Sequence, residues 1–104
     1  MHVSSYANGE GYVVEVKGDL TADQPLGDLL STVKRVLNDK SPPIVKVKVR
    51  EVELVDLEGI AALAHSYRLA KNGGARFGLI DGQPRLRNRL KQTGLLELLE
   101  DEAR

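Results

Sequence analysis

The chain has 104 residues, 41% hydrophobic and 29% charged, with fifteen Lys or Arg balancing fifteen Asp or Glu, and no cysteine. This describes one folded domain, 1–104, with apolar residues enough for a core, and it excludes disulfides and thiolate metal sites. Neutral overall charge with one Phe, three Tyr and no Trp gives no push toward nucleic acid, and no apolar run nears the roughly 20 residues that span a bilayer, so a cytoplasmic protein without direct membrane insertion is expected.

The chain opens on an edge strand around His2–Tyr6. The turn dipeptide Asn8-Gly9 joins it to a strand over Tyr12–Lys17 as a hairpin, since both turn residues tolerate positive φ. Gly18-Asp19-Leu20 breaks that strand. Thr21-Ala22-Asp23-Gln24 has capping-box spacing, which predicts a helix starting at Thr21 and running to about Asp39, with Leu26, Leu29, Leu30, Val33 and Leu37 as its apolar stripe. Ser41-Pro42-Pro43 ends it. From Ile44 to Arg50 the residues alternate, Val45, Val47 and Val49 against Lys46, Lys48 and Arg50. A strand covered on both faces would read as nearly continuous apolar residues, so this one predicts helices on one face and a Lys/Arg face that stays at least partly wet.

At Asp56 the apolar period changes from two to 3.6, with Ile60, Leu63, Ala64 and Tyr67 on one helical face. Asp56 is placed as N-cap and Glu58 puts a second negative charge in the first turn, where the helix dipole favours it. This helix is expected to reach Lys71, with a left-handed cap in Asn72-Gly73-Gly74. A strand over Ala75–Asp81 follows, then a helix opened by Pro84, a break at Gly94 and a short helix over Leu95–Leu99. The order is β-β-α-β-α-β-α-α, an α/β domain.

Catalytic and metal patterns are missing from the sequence. His2 and His65 stand apart without ligand spacing, and Gly73-Gly74 closes a helix instead of opening one as a phosphate cradle would. No enzyme, cofactor or metal is expected. Arg85, Arg87, Arg89 and Lys91 read first as a solvated helix face and second as a landing patch for an acidic protein, with Glu97, Glu100, Asp101 and Glu102 as compensating charge. The turn at Asp56 has two readings. In one, Asp56 only caps and Leu57 packs under the preceding loop; in the other, Leu57 and Glu58 form a docking surface.

The run Val14-Glu15-Val16-Lys17-Gly18-Asp19-Leu20, the turn Val55-Asp56-Leu57-Glu58-Gly59 and the ending Leu90-Lys91-Gln92-Thr93-Gly94-Leu95 together resemble a STAS domain, the module shared by anti-sigma factor antagonists and sulfate transporters. The resemblance covers Gly11 to about Leu99 and implies a small mixed β-sheet with helices, in agreement with the element order. It also implies a bacterial, cytoplasmic signalling protein whose partner is an anti-sigma factor that doubles as a switch kinase. In antagonists of the family the turn reads Asp-Ser-x-Gly, and phosphorylation of that Ser by the partner switches binding off. Here Leu57 occupies the acceptor position, and Thr21 occupies a nearby position where an Asp is common. Phosphorylation is therefore not expected at Leu57, with Thr21 the only substitute. The docking surface expected from the resemblance comprises Asp56, Leu57, Glu58, Gly59, Ala61, Ala62 and Thr21. Two other roles stay open: a STAS subunit of another assembly, such as a lipid-transport complex, a stress-signalling particle or a transporter regulator, and a small-ligand or nucleotide sensor. The sequence leaves a homodimer open.

Overall fold

In the computed structural model, which describes residues 1–9 and 11–100, the elements follow the expected order. They are β1 (His2–Asn8), β2 (Gly11–Lys17), α1 (Gly27–Lys40), β3 (Ile44–Glu51), α2 (Leu57–Asn72), β4 (Arg76–Ile80), α3 (Pro84–Gln92) and α4 (Leu96–Glu100). The sheet runs β1-β2-β3-β4, with β1 antiparallel to β2 and the other two pairs parallel. It is a mixed sheet, and the domain is α/β.

Strand register sorts the side chains into two faces. The rows Ser5–Val14–Val47–Leu79 and Tyr12–Val45–Phe77 lie on one face, where Val14, Val45, Val47, Phe77 and Leu79 join Leu29, Val33, Leu63, Leu86, Leu90 and Leu99 of the helices in one buried cluster. Tyr67 of α2 meets Phe77 edge to face, centroids 5.8 Å apart. The opposite rows, Tyr6–Val13–Lys46–Gly78 and Ser4–Glu15–Lys48–Ile80, stand outside that cluster. Lys46 and Lys48 are half-buried and Arg50 is exposed. The alternation in β3 thus reports a sheet whose helices pack on one side, although Val13 on the other side is itself only 1% exposed, and Lys48 sits opposite Glu15 as opposite charges should.

Helix α1 departs from expectation. It begins at Gly27, six residues later than the capping-box spacing suggests, and Leu26 precedes it without a side-chain cap. Thr21 bonds the Asp23 carboxylate beside it, and Gln24 Oε1 accepts from the Met1 amino group at 2.8 Å. The box is not formed because residues 18–26 are used to reach across to the start of α2. The buried stripe of α1 is Leu29, Thr32, Val33 and Val36, with Thr32 Oγ1 donating to Asp28 O at 2.7 Å; Leu26, Leu30 and Leu37 are half-buried. The left-handed residue that ends α2 is Gly74, φ +79°. No helix among the described residues is long and apolar enough to cross a membrane.

Candidate functional site

Beyond the ends of β2 and β3 the two chains stay side by side. A register shift between Glu15 and Lys17 re-aims them. Gly18 N then donates to Glu51 O (3.2 Å), Leu20 N to Leu54 O (2.9 Å) and Asp56 N to Leu20 O (3.1 Å), with a parallel bridge between Leu20 and Val55. Leu20 and Val55 are buried, so this extension is pinned to the core. It ends at the carboxyl edge of the parallel strands, where open α/β sheets place their working residues.

Asp56 ties the rim together with both oxygens. Oδ1 accepts from Gly59 N at 2.9 Å, capping α2, and Oδ2 accepts from Ala22 N at 2.7 Å, which fastens the β2–α1 loop to the same point. These amides, Ala22 first and Gly59 second, hold the Asp56 carboxyl below its ordinary range. Asp19 contributes a further tie, Oδ1 accepting from Leu54 N at 3.2 Å. Gly59 is required by closeness: a Cβ there would lie 1.9 Å from Leu20 O. The Asp-x-x-Gly spacing therefore encodes a cap and a contact point three residues apart.

The consequence is that Leu57, the first residue of α2, has no place to fold back. It is 69% exposed, and Leu54 on the other side of the turn is 45% exposed. The reading in which Leu57 packs under the preceding loop is overturned. Glu58 and Ala61 are exposed beside it and Thr21 is half-buried on the neighbouring loop. Gly59 and Ala62, expected on the docking face, are buried; Ala62 is only 6% exposed and belongs to the core cluster. The close approach at Gly59 turns α2 so that Gly59, Ile60, Ala62, Leu63, Ser66 and Ala70 point inward. Sequence reasoning did not single out Leu54 or the backbone partners Leu20 and Ala22. Only the unspent second oxygen of a capping carboxylate hinted at such a partner.

The rim is acidic. Segments 18–33 and 51–66 carry Asp19, Asp23, Asp28, Glu51, Glu53, Asp56 and Glu58 and no Lys or Arg. Among described charges, Glu51 is paired with Lys17 at 3.7 Å. Across the molecule, Arg87 of the basic run on α3 forms a two-pronged bond to Glu100, both contacts 3.0 Å, so part of that run is compensated as expected; Asp101 and Glu102 lie outside the described residues.

A one-sided mixed sheet with a capped helix start at its carboxyl edge defines a small α/β domain built to present a rim. The family is given by the sequence: residues 4–100 match the family model described as "Mlab, STAS domain", and the chain belongs to the STAS domain family. An anti-sigma factor antagonist from Mycobacterium paratuberculosis is 25% identical with a TM-score of 0.79, covering 94% of this chain and 81% of that one. A sulfate transporter family protein from Wolinella succinogenes is 24% identical with a TM-score of 0.69, covering 86% and 71%. The anti-sigma factor antagonist SpoIIAA of Bacillus, in its unphosphorylated form, is 12% identical with a TM-score of 0.75, covering 91% and 83%. The last two likenesses speak to the fold alone. No significant match was found among curated proteins.

Proposed function

We propose that this chain is a non-enzymatic, cytoplasmic protein-binding module of the anti-sigma factor antagonist type, regulating transcription by docking an anti-sigma factor or switch kinase at the Leu57 rim without phosphorylation there. The observation that carries the proposal is the exposure of Leu57 at a turn fixed on both sides, by the Asp56 ties and by the Gly59 contact. An apolar side chain held out on a rigid rim is a ready anchor for a partner pocket. The surrounding carboxylates suit a basic partner surface, which would also speed encounter. Leu57 has no hydroxyl, so the roughly −1.5 to −2 charge that phosphate would add cannot arise at this position.

The same Leu57 favours a second reading, a permanent STAS subunit of another assembly, such as a lipid-transport complex, a stress-signalling particle or a transporter regulator. A surface that phosphate cannot switch off suits a constant partner. The two readings separate in one experiment: affinity purification of the chain from its source cell, with and without ATP. The first expects an anti-sigma factor kinase retained in both conditions and, by peptide mass spectrometry, no phosphate on residues 56–59. Recovery of transporter subunits instead favours the second. ATP-dependent release with phosphate on Thr21 would overturn the phosphorylation-independent account.

A further inference from the structure

We infer that β1 is a self-association edge, on which two copies of this chain pair antiparallel about Ser5 to form a continuous eight-stranded sheet. Both edge strands have a helix against them, α4 on β4 with Leu99 buried in the core cluster and α1 on β1; they differ in charge, since β4 carries Arg76. β1 is the other edge, and among the described residues no backbone bond outside the sheet ladder involves residues 2–8. Edge strands are usually protected by a charge, a proline, a bulge or shortness. β1 has none of these: its seven residues, His2-Val3-Ser4-Ser5-Tyr6-Ala7-Asn8, contain no Lys, Arg, Asp, Glu or Pro, and its register with β2 is unbroken. In a chain that is 29% charged, an uncharged run on an edge stands out. Tyr6 there is 41% exposed.

The strand is complementary to itself. A two-fold axis through the central residue sets Ser5 against Ser5 of the second copy, Ser4 against Tyr6, Val3 against Ala7 and His2 against Asn8, with no carboxylate or ammonium facing its like. The period of two keeps the faces matched. Ser4 and Tyr6 share the uncovered face with Glu15 and Val13, and Val3 and Ala7 share the helix-covered face with Val16 and Tyr12. These matches favour a second copy over a foreign strand, for which β1 has no charge to select. Because the strands run opposite ways, the two Leu57 rims point to opposite ends of the dimer and both stay free. The inference does not depend on rim docking. A contact of one strand per copy, roughly 24 Å long at about 3.4 Å per residue, is small beside the roughly 1,200–2,000 Å² of standard interfaces, so a micromolar dimer is expected.

Sedimentation equilibrium of the chain alone tests it, from about 5 to 500 µM. The 11.4 kDa chain should move toward twice its mass over that range. The double variant Ser4→Lys/Tyr6→Lys sets like charges opposite each other twice across the axis, and should raise the dissociation constant at least about tenfold. The double variant Ser4→Glu/Tyr6→Lys sets opposite charges in the same places and should keep the dimer. Both variants alter only the uncovered face, and matching thermal unfolding curves would show the fold kept. A chain monomeric throughout overturns the inference, as does equal dimerisation of the two variants. If both variants lose the fold, His2→Lys/Asn8→Lys against His2→Glu/Asn8→Lys repeats the comparison at the exposed ends of the strand.

Discussion

Gly59→Ala adds one carbon where α2 touches the strand extension. The new Cβ would lie 1.9 Å from Leu20 O, 2.7 Å from its carbonyl carbon and 2.9 Å from its Cβ. Bringing the first of these to an ordinary 3.4 Å needs about 1.5 Å of separation (3.4 minus 1.9). The obstacle cannot rotate away, because it is main chain held by the Leu20 N to Leu54 O bond and the bond from Asp56 N to Leu20 O, 2.9 and 3.1 Å. Stretching the second by that amount abolishes it. Overpacking against a yielding neighbour costs about 1–3 kcal/mol, and a lost backbone hydrogen bond adds about 1 kcal/mol. Alanine's better helix propensity returns up to about 1 kcal/mol. The net expectation is a loss of about 2–3 kcal/mol, or roughly 8–24 °C in Tm for a domain of this size. Urea unfolding followed by circular dichroism measures it, with Gly27→Ala as the control. Nothing lies within 4 Å of a Cβ at Gly27, and that variant should be neutral or stabilised by up to about 1 kcal/mol. A Gly59→Ala protein within about 0.5 kcal/mol of wild type would refute the claim that this contact fixes the rim.

Acid should weaken the same tie. A carboxyl held below its ordinary range in the fold, as Asp56 is, contributes stability that is present above its unfolded value and fades as pH falls through the folded value. The stability advantage of wild type over Asp56→Asn should therefore shrink on titration below about pH 4; an advantage constant from neutral to acid pH contradicts this. On the uncovered sheet face, Lys48→Glu should change stability by less than about 1 kcal/mol even though it faces Glu15. Unfolding of that variant at room temperature would mean the face is covered.

The element order, the cap at Asp56 and the single covered face were all legible in the sequence, each for a local reason. A carboxylate before a change of period announces a helix start, and Val/Lys alternation announces a strand wet on one side. What was illegible depends on contacts between distant segments. Thr21-Ala22-Asp23-Gln24 has capping-box spacing, yet Ala22 N is drawn to Asp56 Oδ2, thirty-four residues away, and α1 starts only at Gly27. Ala62 looked like part of an exposed, small-residue turn; the approach of Gly59 to Leu20 rotates it inward. The exposure of Leu57 was undecidable locally, because its hydrophobicity fits core and anchor equally. Only the two fastenings on either side show that it cannot turn in.

The most direct test of the proposed docking is calorimetric titration of the protein retained in the affinity purification into wild type, Leu57→Asp and Leu98→Asp. Leu57 and Leu98 are both exposed in the free chain, so both variants should keep wild-type stability within about 0.5 kcal/mol. A leucine fully buried by a partner contributes roughly 1.5–3 kcal/mol, and an unpaired carboxylate in its place adds a desolvation penalty. Affinity should fall at least about tenfold, or 1.4 kcal/mol, for Leu57→Asp and stay unchanged for Leu98→Asp. A folded Leu57→Asp protein that binds as tightly as wild type would contradict the account.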